Sequence, residues 1–337
     1  MKKTIVVTGG GTGGHLSVAR SFIDEFYNRG YNVIFIGSTK GQDKQWFEDY
    51  PKLYKTYFLE TKGVVNQNFV GKFISLWMIF KAVLKSRKII KENSVLKVVS
   101  VGGFSAAAAS FAAILTKTDF YIHEQNSVVG RLNKLTSKYS KELFSSYLET
   151  SKVKDYPISE KFFDISRVRK NVNTIIFLGG SQGASAINNF ALQLAPKLKE
   201  MNINIIHQTG KRDFKKIQRE YKKLNIEVDV FDFSTELLEK MNKADFAVSR
   251  SGASTLWELV AVGIPTFFIP YPYAAANHQY YNAKYLVDND LCFLQSEKEL
   301  DSEYFFTCLD TEIRSKSEKL IDTIHKDAVK NIVDIII

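Results

Sequence analysis

The chain has 337 residues, 45% hydrophobic and 24% charged, and its 46 basic against 36 acidic side chains leave a net charge of +10. That is room for two domains of ordinary size, and the composition excludes disordered and fibrous classes. Two cysteines, Cys292 and Cys308, are too few for a disulfide framework or a Cys-rich zinc module and are expected as buried thiols in a reducing compartment.

Met1-Lys2-Lys3 followed by Thr4–Thr8 lacks the apolar core of a signal peptide, so the chain is expected to start in the cytosol. Thr4–Thr8 itself reads as a buried strand running into glycines, and Tyr31–Ile36 as a second. Between them residues 16–29 place Leu16, Ala19, Phe22, Ile23 and Phe26 at helical spacing, closed by Gly30, which completes one βαβ unit. The segment Phe69–Lys91 predicts a helix with a broad apolar arc, Phe73, Leu76, Trp77, Ile79, Phe80, Val83 and Leu84, edged by Lys81, Lys85 and Lys88. Its longest apolar run, Phe73–Phe80, falls far short of the roughly 20 residues that span a bilayer. An apolar arc is ordinarily core, but Trp77 beside several lysines favours an interfacial segment facing anionic lipid.

Strands follow at Val95–Val101 and Phe120–His123, separated by the Ala-rich stretch Ser105–Leu115. After a charged lapse over Lys152–Asn173, a second α/β domain opens with Thr174–Leu178 and the loop Gly179-Gly-Ser-Gln-Gly183. Further strands are expected at Ile203–His207, Val228–Phe233, Phe246–Ser249 and Thr266–Ile269, and one closing helix over Ser315–Ile336 near the domain junction.

The loop Gly9–His15 spells G-x-G-x-x-G between a strand and a helix, where backbone N–H groups can meet an anion. The second strand ends Gly37-Ser-Thr-Lys40 without the acid that binds an NAD ribose, so NAD is disfavoured, while Lys40 leaves NADP open. His15 falls in the first helical turn, where the dipole favours the neutral, proton-accepting ring; the alternative is a histidine bonded within its loop. Gly179–Gly183 repeats the arrangement and suits a diphosphate. In Ser249-Arg-Ser-Gly-Ala-Ser-Thr-Leu-Trp-Glu258, Thr255 and Glu258 spell a capping box, and the competing reading is a carboxylate that accepts ribose hydroxyls. Asp288-Asn-Asp290 reads as a turn rather than a metal motif, and no other His/Cys/Asp cluster has metal-ligand spacing.

Taken in order, Gly9–His15, Gly102-Gly-Phe104, His123-Glu-Gln-Asn126, Gly179–Ala184, Ser249–Ala253 with Glu258, and His278-Gln279 with Asn282-Ala283 resemble the MurG family across nearly the whole chain. The resemblance implies an α/β GT-B fold of two Rossmann-like parallel-sheet domains facing a cleft. These would be 1–156, carrying acceptor and membrane contacts, and 157–337, binding the donor. It implies an inverting transfer of N-acetylglucosamine from UDP-GlcNAc to lipid I in peptidoglycan synthesis, at the cytoplasmic face of the cell membrane. It implies no metal or cofactor and no nucleic-acid partner, with cell-wall synthesis proteins as further partners. By resemblance His15 is the base. Thr12, Gly13, Gly14, Asn126, Ser181, Ser234, Ala253, Ser254, Thr255, Glu258 and Gln279 contact UDP-GlcNAc, while Gly103, Phe104 and Asn282 line the acceptor side. The chain departs from the family at Val18, where proline is usual, at Ser159, where an arginine near the diphosphate is usual, and at Ala276, where an acid is common. The rival readings are a GT-B transferase with another lipid acceptor, of the glycosyl-diacylglycerol synthase type, and an NADP-binding oxidoreductase.

Overall fold

The computed structural model describes residues 2–61, 69–180, 183–234 and 236–337, and the side chains of 69–73 fall outside that description. The chain divides into two units, Met1–Ile158 with Asp327–Ile337, and Ser159–Lys326.

The first unit runs β1 (Thr4–Thr8), α1 (Gly13–Asn28), β2 (Asn32–Ser38), α2 (Asp43–Phe47), β3 (Lys55–Leu59), α3 (Phe69–Glu92), β4 (Val95–Ser100), α4 (Ala107–Thr116), β5 (Asp119–Glu124), α5 (Arg131–Thr136) and β6 (Glu142–Ser145). All strand pairs are parallel, in the order β3-β2-β1-β4-β5-β6. β1 is buried along its whole length, as a central strand covered on both faces must be. It pairs with β2 from Thr4↔Asn32 to Thr8↔Ile36. α1 buries Leu16, Ala19, Phe22, Ile23 and Phe26 as its spacing predicts, but starts three residues earlier than expected, inside the glycine loop. Gly30, at φ 82°, reverses the chain so that Tyr31 N–H reaches Phe26 O, the geometry of a Schellman stop.

The second unit repeats the plan: α6 (Lys161–Asp164), β7 (Thr174–Leu178), α7 (Ser185–Glu200), β8 (Asn204–Gln208), α8 (Phe214–Lys223), β9 (Asp229–Phe231), α9 (Leu237–Lys243), β10 (Phe246–Ser249), α10 (Ala253–Ala261), β11 (Thr266–Phe268), α11 (His278–Asp288), β12 (Phe293–Leu294), α12 (Ser302–Leu309) and α13 (Ile313–Ile321). Its parallel sheet has the order β12-β11-β10-β7-β8-β9. The core gathers Ile175, Phe177, Phe190, Phe246, Phe267 and Phe305, with Phe267 and Phe305 edge to face at 5.4 Å. Both cysteines are buried free thiols.

The closing segment is not one helix. α13 ends at Ile321, Asp327 turns the chain at φ 72°, and a separate α14 (Ala328–Ile336) follows. α14 belongs to the first unit, so 157–337 is not a single compact unit. Its Ile332, Val333 and Ile336 are buried, and Arg29 of α1 pairs with both Glu25, at 2.7 Å, and Asp334.

Candidate active site

Each sheet places a glycine loop where its strand order reverses, the crevice in which open α/β sheets take ligands. In the first unit that point lies between β1 and β4, which lead into Gly9–Gly14 and Gly102–Phe104. The two loops interlock. Gly10 N–H donates to Gly102 O at 3.2 Å, and a Cβ on Gly103 would stand 2.3 Å from Gly10 O, so only glycine fits there. The Phe104 ring lies against Gly11.

Thr12 is the N-cap of α1, which makes Gly13, Gly14 and His15 its first three residues. The cap side chain does not close on the helix's own N–H groups; Thr12 Oγ1 lies 2.9 Å from His15 Nδ1. The other ring nitrogen, Nε2, sits beside Gly102, where a Cβ would be 3.7 Å away. Next to it His123 is buried; burial, then the neighbouring His15, pushes its pKa down to about 3 and keeps it a neutral imidazole. The N–H of Gly11 is spent on Asp43 Oδ1 at 2.5 Å. That N–H is therefore not open to a dinucleotide phosphate, which counts against the NADP reading.

Glu124, the last residue of β5, organises the turn that follows. Its carboxylate accepts the N–H of Asn126 at 3.0 Å and of Gly130 at 2.9 Å, and Asn133 Nδ2 at 2.8 Å. Asn126 is thereby fixed, half-buried, at the C-terminal edge of the first sheet.

In the second unit the reversal lies between β7 and β10. Ser181 lies outside the described residues. Beyond it α7 starts at Ser185, whose hydroxyl donates to Asp213 Oδ2 at 3.0 Å and accepts from Arg212 Nη2 at 2.6 Å. Beneath them His207 is buried. Asn188 Nδ2 donates to Thr209 O, so Asn188 Oδ1 faces the ring as an acceptor and His207 Nε2 carries the proton, 3.0 Å away. Nδ1 then accepts from Tyr221, and burial holds the pKa near 3.

A cavity of about 530 Å³ opens over this helix start, and its lining includes Gly183, Ser185, Arg212, Arg250, Gln279 and Glu297. Arg250 is committed internally, donating to Ile269 O and Pro270 O at 2.9 and 3.0 Å and pairing with Glu297. Arg212 is the exposed cation of the cavity, paired with Asp213. Neither arginine was singled out from the sequence. Arg250 sat inside a noted motif, whereas Arg212 carried no signal beyond the charge of its segment.

α10 starts at Ala253 with Gly252 as N-cap, so Ala253, Ser254 and Thr255 are its first three residues and Glu258 its sixth. Thr255 is not in the cap position, and the capping-box reading fails. The Glu258 carboxyl accepts no hydrogen bond among the described residues, and although it keeps some exposure, desolvation pushes its pKa up to about 7. Gln279 ties the site together: its Oε1 accepts Tyr271 N–H at 2.9 Å and its backbone oxygen accepts the Ser251 hydroxyl at 2.8 Å. Asn282 is fully buried and donates to Ser251 O at 3.2 Å, which leaves it no surface with which to line a cleft. Ser234 lies in the loop after β9, accepting Glu236 N–H at 2.9 Å. Asp290 is held by Lys316 and Lys319, in a turn at φ 56°.

α3 divides its apolar residues unexpectedly. Ser75, Ala82, Val83, Ser86, Ile89 and Ile90 are buried, several in one core with Ala108, Ala109 and Ala112 of α4. The large side chains Ile74, Leu76, Trp77, Phe80 and Leu84 are about half exposed. Trp77 stacks on Phe80 at 5.7 Å, and Lys81 Nζ lies 5.4 Å from the Trp77 ring. Lys85 is exposed, and Lys88 pairs with Glu92 at 3.6 Å. Phe73 is among the side chains not described. Val83, placed in the interfacial arc from the sequence, is core.

The model of the glycosyltransferase family 28 N-terminal domain matches residues 5–145, and that of the family 28 C-terminal domain matches 174–336. The chain is 50% identical, over 99% of its length and 98% of the relative's, to the UDP-N-acetylglucosamine–N-acetylmuramyl-(pentapeptide) pyrophosphoryl-undecaprenol N-acetylglucosamine transferase of Sulfurovum sp.. It is 49% identical to a Campylobacter jejuni protein of the same name, over 96% and 94% of the two chains. The crystal structure of Acinetobacter baumannii MurG matches with a TM-score of 0.80 at 26% identity, covering 99% of both chains. UDP-GlcNAc 2-epimerase from Neisseria meningitidis bound to UDP-GlcNAc matches at TM-score 0.64 and 14% identity over 98% of each chain, a likeness of fold alone.

Proposed function

The chain belongs to glycosyltransferase family 28, and from that membership we propose that it transfers N-acetylglucosamine from UDP-GlcNAc to the C4 hydroxyl of the muramoyl residue of lipid I. The product is lipid II with a β-1,4 linkage, made with inversion. The observation that carries this reading is a pair of glycine loops, each at its sheet's switch point, in a chain half identical to the named transferase over its full length.

His15 serves as the base. Its Nδ1 is engaged by Thr12, so Nε2 takes the C4 hydroxyl proton as that oxygen attacks the anomeric carbon; the bond to UDP breaks and its electron pair leaves with the diphosphate. The N-terminus of the 16-residue α7 and the exposed Arg212 supply positive potential for that leaving group. Glu258 takes the ribose hydroxyls, a role supported by a desolvated carboxyl with no hydrogen bond of its own among the described residues.

The acceptor's undecaprenyl chain lies in a bilayer, and no helix among the described residues is long and apolar enough to cross one. The reading has the protein work peripherally, at the cytoplasmic face, with the exposed side of α3 as its membrane contact, supported by Trp77 and Phe80 standing about half exposed beside Lys81. Titration with UDP-GlcNAc and UDP-glucose, followed by turnover on lipid I and on diacylglycerol, tests the assignment. Preference for UDP-GlcNAc and product only from lipid I is expected; glucose transfer to diacylglycerol would replace it with the glycolipid-synthase reading.

A further inference from the structure

Asp43 is fully buried, yet it belongs to no part of the reaction described so far. Its two carboxyl oxygens join two loops: Oδ1 accepts Gly11 N–H at 2.5 Å from the turn after β1, and Oδ2 accepts Ser38 N–H at 2.9 Å from the end of β2. The fit is close on both sides. A Cβ on Gly10 would stand 2.6 Å from Oδ1, and one on Gly37 would stand 2.9 Å from Oδ2. The loop that carries Asp43 also laps over the turn, since a Cβ on Gly41 would meet Gly11 Cα at 2.7 Å. Gly10 is tied to Gly102 O and Gly11 touches Phe104, so the turn is fixed from several directions just before Thr12 starts α1.

A buried carboxyl is costly to desolvate, and apolar residues of similar volume often pack as well or better. Here desolvation raises the pKa of Asp43, while the N–H groups of Ser38 and Gly11 oppose the rise, so the carboxyl is sustained by the backbone it holds. The constraint falls on the one turn that determines where α1 begins and so where its third residue, His15, points. We propose that Asp43 is a positioning residue for glycosyl transfer, its carboxyl setting the Gly9–Thr12 turn that presents His15. This rests on the reading of His15 as the base.

The test is a double-mutant cycle on the full-length protein, with Asp43→Asn, His15→Ala and the combined variant assayed for kcat and for the UDP-GlcNAc KM, beside UDP binding and melting. Asp43→Asn keeps the shape but turns an N–H donor towards a backbone N–H. It is expected to lower kcat about tenfold or more, the scale of a misplaced catalytic group, with KM and UDP affinity within about twofold. On the His15→Ala background it should cost no more than about twofold further, because two changes acting through one group do not multiply. Wild-type kcat in Asp43→Asn, multiplicative losses in the combined variant, or kcat falling only in step with melting and UDP binding would each overturn the proposal. If His15→Ala alone turns over normally, the base assignment fails. The proposal then falls with it, because Asp43 has no catalytic group to present whatever kcat Asp43→Asn gives; failure of the proposal alone is read from a slow His15→Ala beside an Asp43→Asn of wild-type kcat. If Asp43→Asn does not fold, Asp43→Glu replaces it, keeping the charge but pushing the carboxyl into Gly10. A folded Asp43→Glu with lowered kcat supports the proposal; full activity, or failure of both variants to fold, overturns it.

Discussion

Glu258 and Asp43 are both carboxyls withdrawn from water, and they are satisfied in opposite ways. Asp43 closes on its own backbone, whereas Glu258 accepts no hydrogen bond among the described residues. The sequence left Glu258 ambiguous, because T-x-x-E is the spelling of a cap; Gly252 taking the cap position is what separates the readings. With a pKa raised from 4.5 to about 7, the folded protein holds that proton more tightly than the unfolded chain does. Between those values the native state binds more protons, so ligand-free stability falls as pH rises through the window and stays reduced above it. Glu258→Gln should therefore melt higher than wild type at pH 8, by an amount on the order of 1–3 kcal/mol, and the two should converge near pH 4.5. UDP-GlcNAc binding should move the other way. Wild-type affinity should rise with pH through about 7 as the carboxylate forms, and the glutamine variant should bind at least about tenfold more weakly at pH 8 with a flat profile, consistent with losing a charge-assisted hydrogen bond. Calorimetric titration across that range reads both. The signal for Asp43 was indirect: glycines at 10, 37 and 41 mark places where something must approach closely, but which side chain approaches is a long-range fact that local pattern does not hold.

Among the elements, α3 shows how far periodicity reaches. Its spacing predicts a helix with an apolar arc, but not which part of the arc faces inward. The inner face is set by α4, whose alanines admit close approach, and small or medium residues of α3 fill that contact while the aromatic ones stay outside. Glutamates at Lys81, Lys85 and Lys88 should release the protein from vesicles containing anionic lipid. Each cation near the surface contributes about 1 kcal/mol, with Lys88 adding least because it shares its charge with Glu92. Co-sedimentation should fall at least about tenfold, high salt should mimic the effect, and UDP-GlcNAc affinity should not move. Equal sedimentation of wild type and variant would place the membrane contact elsewhere. Short edge strands were the elements the sequence hid: β3 is partly exposed, and β12 has only two residues, too few for any alternation to register.

For the whole molecule, the alternation of strands, glycine loops and helices made both parallel sheets and both loops legible, because buried parallel strands are apolar runs and the loops fall at their ends. The return of α14 to the first unit was not legible, since its apolar stripe states that it must be covered but not by what. Removing 327–337 should uncover the face of α1 that it packs on and break the Arg29–Asp334 pair. Loss of three buried aliphatic side chains points to a destabilisation of the first unit on the order of 5 kcal/mol, read as a lower first melting transition, with UDP binding by the second unit kept.

That return also sets an order of assembly. The first unit is built from both ends of the chain, with the whole of Ser159–Lys326 synthesised between its two parts. At a ribosomal pace of about 5–20 residues per second, its sheet waits roughly 10–30 s for its last helix. Throughout that interval the uncovered face of α1 is open to chaperones and proteases, and α14 acts as a seal applied only to chains that have been translated through Ile336.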